Sequence, residues 1–237
     1  MKSLLAYTVK PRLFALLALG FVLATIVGTV SHEASHYFAA KHYGSKPELH
    51  YAMVSFKTNP EKQQLKDYYE ANHKKIASPE TTAEKTYFRK NLKIYYQKYF
   101  YIILAGPAQT MLTGIIGIFL LWYWTKRSSN FNIKHWLAVF LAFFWSRQVL
   151  NFLMSIPNFW QQYPSIRSDE SKLSAYLRLP YWTIGAITAV IGLILLLWVV
   201  FYKMPKEYRP SFIIAGVVGS TLGWTLWMHI LGPVILP

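Results

Sequence analysis

Four long runs of this 237-residue chain contain no Asp, Glu, Lys or Arg: residues 13–32, 99–125, 179–202 and 210–237. A soluble domain of this size has no interior large enough to hide them. Each is long enough to cross roughly 30 Å of hydrocarbon as a helix. A fifth apolar stretch, 136–157, carries one embedded cation, Arg147. Helices are expected because a helix satisfies its own backbone groups in lipid. The pattern predicts an all-α polytopic membrane protein, with residues 1–237 forming one integral membrane domain. Its five spans are expected at about 13–38, 99–125, 136–157, 179–202 and 211–235. The first run is longer than the h-region of a secretory signal, about 7–15 residues. It also ends in His32 and Glu33 instead of a small-residue cleavage site, so it reads as a retained span. An ordinary soluble enzyme and a disordered chain are excluded. With no Cys, so are a disulfide scaffold and Cys-ligated metal.

Net charge is +15, from 25 basic and 10 acidic residues. That balance fits either a nucleic-acid binder or a membrane protein. Its distribution decides. Residues 41–98, the one large polar segment, hold 12 of the basic and six of the acidic residues. Tyr51 to Phe56 within it reads as a strand or a short interfacial β-hairpin. From Glu61 onward the segment reads as one or two surface helices, broken at Pro79. Tyr87 to Tyr101 interleaves aromatics with Lys and Arg, as an interfacial helix does, with rings at headgroup level and cations toward anionic lipid. The expected partner of this charge is membrane lipid, not nucleic acid. Loops on the side bearing 41–98 carry 15 basic residues against nine on the other side. This asymmetry favours a cytoplasmic 41–98 segment, and an integral, multi-pass protein of a prokaryotic plasma membrane is expected.

The chemistry lies at the end of the first span. An ionisable residue inside a span is costly and points to function. Residues 32–36 read His-Glu-Ala-Ser-His, the HExxH pattern. On a helix His32 and His36 share a face, so their imidazoles can bind one Zn²⁺. Glu33 projects beside them, placed to take a proton from a water acidified by the metal. Catalytic zinc needs a third protein ligand. After residue 85 only three acids remain: Asp169, Glu170 and Glu207. Glu207 sits in a basic loop and reads as a solvated charge. His42, His50, His73, His135 and His229 compete as ligands, and on the residues alone the choice stays open.

Taken in order, these elements resemble the site-2 protease family of intramembrane zinc metalloproteases. HEASH occupies the first span. Ala105-Gly106-Pro107 opens the second and resembles that family's AGP motif. Asn151 and Pro157 precede Asp169, resembling its Asn…Pro…Asp-Gly element. The likeness covers roughly residues 13–178. It implies that His32, His36 and Asp169 hold one zinc per chain and that Glu33 is the catalytic base. Asn151 would position the substrate, with Arg147 a further candidate for that role. Gly106 and Pro107 are supporting residues: Ala105 and Gly106 permit close helix approach, and Pro107 frees a carbonyl and kinks the helix. Three positions depart from the family pattern. Glu170 stands where a Gly follows the ligand Asp and is a rival ligand. Thr110 stands where an Asn often follows AGP, and Asn158 rivals Asn151. The implied function is a zinc-dependent endopeptidase acting on membrane-embedded or signal-peptide-like substrates. The alternative is a pseudoprotease or metal-binding scaffold that binds partner helices. A prenylated-protein type of membrane zinc protease, with its third ligand on a later polar helix, is disfavoured by the scarcity of late acids.

Overall fold

The computed structural model describes residues 8–56, 59–127, 130–157 and 168–237. Five helical segments are long and apolar enough to cross a membrane: Pro11–His42, Ala83–Arg127, Ile133–Ser155, Thr183–Lys203 and Lys206–Ile235. Their outer faces are strongly apolar, with Leu16, Leu19, Leu23 and Val27 exposed on the first. Such a surface suits hydrocarbon and would be untenable in water.

Helix α1 spans Pro11–His42 and starts with proline in its first turn, where the missing N–H costs nothing. It stops at Gly44, whose φ of +79° no side chain tolerates easily. The Gly44 N–H bonds the Lys41 carbonyl and the Ser45 N–H bonds that of Ala40, the paired closure of a Schellman motif. The chain then enters a two-stranded antiparallel sheet, β1 (Pro47–Leu49) and β2 (Val54–Phe56), with Glu48 opposite Ser55. The hairpin expected near Tyr51–Phe56 thus forms, with its first strand earlier than the apolar run indicated.

Helix α2 (Pro60–Ala77) is capped by Asn59, whose side chain accepts from the Lys62 N–H. It packs along helix α3 (Ala83–Arg127), tied by the Lys75–Glu84 and Lys98–Glu61 ion pairs at opposite ends. Helix α3 runs unbroken for 45 residues through Pro107. The surface helix and the second span expected as separate elements are one rod. At 1.5 Å per residue it is about 68 Å long, more than twice the hydrocarbon thickness.

The third span, expected over 136–157, is helical over Ile133–Ser155, with a tighter turn in its middle. Helix α4 (Ile133–Ala142) gives way to a 3₁₀ turn at Phe143–Trp145 and then to helix α5 (Ser146–Ser155). Helix α6 (Asp169–Tyr176) is short. The fourth span is helix α7 (Thr183–Trp198) with a π turn at Val199–Lys203. The fifth is helix α8 (Arg209–Leu226), a π turn at Trp227–Leu231, and helix α9 (Gly232–Ile235).

Helix α1 is held between α8 and α3. Phe21 is the hub of an aromatic cluster, with Phe140, Phe143 and Phe212 at centroid distances of 5.0–5.7 Å. Glycines let the backbones approach. A Cβ on Gly219 would lie 2.4 Å from the Ala18 carbonyl oxygen, and one on Gly223 2.9 Å from Val22 Cα. Lipid chains are as apolar as leucine, so this close van der Waals fit is what joins the helices.

Gly219→Val should therefore overpack the α1–α8 seam and destabilise the protein by about 1–3 kcal/mol. Thermal unfolding in detergent, followed by tryptophan fluorescence, checks this. Gly44→Asn, which tolerates the left-handed conformation, should have the smaller effect.

Candidate metal centre

The site is assembled from three helices. His32 and His36, one turn apart on α1, are both buried. Opposite them α3 presents Gly106 and Thr110, one turn apart and also buried. A Cβ at Gly106 would lie 2.3 Å from His36 Nε2 and 2.6 Å from His32 Nε2. The absent side chain is the space in which the two ring nitrogens converge. Asp169 enters from the first turn of α6, whose N-terminus is capped by Ser168 accepting from the Ser171 N–H.

Asp169 Oδ2 lies 3.1 Å from His32 Nε2 and 3.1 Å from His36 Nε2, and the two nitrogens are 3.2 Å apart. Among the described residues this is the group of three His or acidic side chains placed to hold a metal ion. A tetrahedral ion with bonds of about 2.0–2.1 Å separates its ligands by about 3.3 Å, close to these spacings.

The outer ring nitrogens fix the tautomers. His36 Nδ1 donates to the Ile102 carbonyl at 2.7 Å. A carbonyl only accepts, so in the neutral ring the Nε2 lone pair faces the centre. His32 Nδ1 lies 2.9 Å from Thr110 Oγ1, and the Thr110 hydroxyl donates to the Gly106 carbonyl at 3.1 Å. With its one proton given away, the hydroxyl oxygen accepts from His32, and that ring also turns its lone pair inward. Two lone pairs and a carboxylate oxygen meeting at 3.1–3.2 Å need positive charge between them. The donor set and its spacing therefore fit a metal ion, with both imidazoles oriented by a second hydrogen bond. Lys172 Nζ holds the other Asp169 oxygen at 3.3 Å.

Glu33 is 7% exposed beside the pair, with Arg147 Nη2 3.6 Å from its Oε1. Glu33, His36, Arg147, Asn151 and Asp169 line one cavity of about 350 Å³, bordered by Met53 and Val54 of the hairpin. Asn151 faces Glu170, its Nδ2 3.4 Å from Oε1. Glu170 is 3% exposed and stays outside the three-residue group, so the structure places Asp169, not its neighbour, at the centre. The other histidines lie elsewhere: His135 caps α4 through Asn132, His50 bonds Ser55, and His229 packs on Trp224. Asn158 lies outside the described residues. Pro107 is buried on α3 beside Gly106 without interrupting the helix.

Two contributors were not identified from sequence. Thr110 was counted only as a departure, yet it orients His32. The Ile102 carbonyl, which orients His36, carries no side-chain signal at all.

Comparison with protein-family models, curated proteins and solved structures returned no match, so the functional reading rests on the residues of the site. That geometry makes two predictions. Gly106→Ala should displace both ring nitrogens and lower metal content below half an ion per chain by plasma mass spectrometry. Thr110→Val keeps the volume but removes the hydrogen bond, and should weaken metal affinity by about 10–100-fold in a chelator competition titration.

Proposed function

We propose that this chain is an integral, multi-pass zinc metalloprotease of the site-2 protease kind. It hydrolyses peptide bonds of membrane-embedded or signal-peptide-like substrates, and its expected location is a prokaryotic plasma membrane. The observation that carries the reading is the convergence of His32, His36 and Asp169 with Glu33 adjoining them in one cavity. Two imidazoles, one carboxylate and an open fourth position suit a catalytic zinc. When bound, zinc supplies Lewis acidity and brings the pKa of a coordinated water to about 7.

The protein's own groups do the rest. Glu33 accepts a proton from the attacking water and returns it to the leaving amine nitrogen. Lys172 holds the free oxygen of Asp169, which leaves Oδ2 for the metal. The cavity is lined by polar Glu33, His36, Arg147 and Asp169 and by apolar Met53, Val54 and Phe56. A membrane helix must unwind before its backbone can be attacked. The unpaired edge of a two-stranded sheet beside the cavity offers main-chain partners to a segment in that extended state.

A metal-binding scaffold without hydrolysis is the competing reading, favoured by the approach of Arg147 to Glu33, because a cation beside a carboxylate weakens it as a base.

One pair of measurements separates the two readings. Glu33→Gln should lower cleavage of a quenched fluorogenic transmembrane peptide by at least about 10²-fold, with zinc remaining at one per chain. Full activity in that variant, or zinc-loaded wild-type protein with no hydrolysis, overturns the protease reading. Stripping the metal with phenanthroline should abolish cleavage, and added zinc should restore it.

A further inference from the structure

We infer that Arg147 is the catalytic residue that receives the carbonyl oxygen of the scissile bond as negative charge develops on it. The inference rests on the hydrolytic reading above. Arg147 stands in the first turn of α5, directly after the 3₁₀ turn in the third span. A guanidinium within a span is costly, and such groups are normally satisfied on every side. This one is not. Its Nε is buried and has no hydrogen-bond partner among the described residues. Its ion pair with Glu33, at 3.6 Å, is beyond hydrogen-bond distance. The side chain is nonetheless 29% exposed and lines the cavity, so the guanidinium is open to a ligand there.

Two other donors on the cavity are engaged. Asn151, one turn further along α5, points its amide at Glu170. Lys172, the other cation on the cavity, is on Asp169 Oδ1. Arg147 has hydrogen-bonding capacity left over, and it lines the same cavity as Glu33, His36 and Asp169.

The pairing with Glu33 couples the two charges in time. As water oxygen bonds to the carbonyl carbon, the C=O π pair moves onto the carbonyl oxygen. In the same step a water proton passes to Glu33, which becomes neutral. The attraction between Glu33 and Arg147 is lost as the oxyanion appears, and the guanidinium is freed to meet it. On collapse the electron pair returns to form C=O and the C–N bond breaks. The proton on Glu33 then goes to the amine nitrogen. Glu33 is again a carboxylate and re-forms the ion pair, while the product acid keeps the second water proton until it ionises. Donors aimed at charge that develops only in the transition state raise kcat and leave KM nearly unchanged.

The test uses the full-length zinc-loaded protein in detergent with Arg147→Lys and Arg147→Met. Three readouts are taken: cleavage of the transmembrane peptide, inhibition by a phosphinic peptide, and inhibition by a thiol peptide. The phosphinic group offers two oxygens on a tetrahedral centre, whereas the thiol binds metal through sulfur and offers none. Arg147→Met should lower kcat by about 10²–10³-fold with KM changed less than threefold. Phosphinate affinity should fall by a similar factor, thiol affinity and zinc content should hold, and Arg147→Lys should recover part of the loss. Unchanged kcat, or equal loss of both inhibitors, overturns the role. If the methionine variant does not fold, the lysine variant decides alone, with about a tenfold loss confined to kcat and phosphinate as the expected result. Wild-type protein that holds zinc but neither cleaves nor binds either inhibitor would instead refute the hydrolytic reading, and this role with it.

Discussion

Helix α1 carries two imidazoles and a carboxylate in a segment long and apolar enough to lie in lipid. Hydrocarbon offers those groups nothing, so the protein must cover them. Much of the surrounding architecture can be understood as that cover. Helix α3 lies against the histidine face and supplies a carbonyl, a hydroxyl and the space left by a glycine. The short helix α6 brings in Asp169, and α5 brings Arg147, which pairs with Glu33. The site is thus the polar interior that holds α1, α3, α5 and α6 in a single arrangement.

The same economy governs the rest of the packing. On α3, Gly106, Thr110, Gly114 and Gly117 are buried along one side, against the histidines, then Trp145, then the backbone of α4. On α8, Gly219 and Gly223 do the same against α1. Small residues at these spacings allow the close contact that replaces a hydrophobic driving force in lipid. Large side chains are then free to face outward, as Leu19, Leu23, Phe119 and Val217 do.

Sequence reasoning reached the parts of this that are written in residue type. Charge-free runs located four of the five candidate spans, because a charge in hydrocarbon is expensive at any position; the fifth showed as an apolar stretch around Arg147. The spacing of His32 and His36 shows that the two imidazoles meet, because an i, i+4 pair shares a helix face. It did not show which residue joins them: Asp169 came only through the likeness to a family, since the contact spans 133 residues of sequence. The 3₁₀ turn at Phe143–Trp145 has no signal in the apolar residues that form it. The role of Thr110 is not legible in residue type, because it depends on the single hydroxyl proton going to the Gly106 carbonyl, a matter of geometry. The continuity of α3 was missed because a change of composition at residue 99 looks like a boundary, although the helix passes through it.

That continuity has a mechanical consequence. The Ile102 carbonyl that orients His36 and the Gly106 backbone that makes room for both rings belong to the same rod as the charged hairpin arm. No linker stands between them to absorb motion. A torque applied to the α2–α3 arm, about 30 Å from the His32–His36–Asp169 cluster, is delivered as a shift of the atoms that set the imidazole planes. The arm is a lever whose short end is the pair of histidine rings.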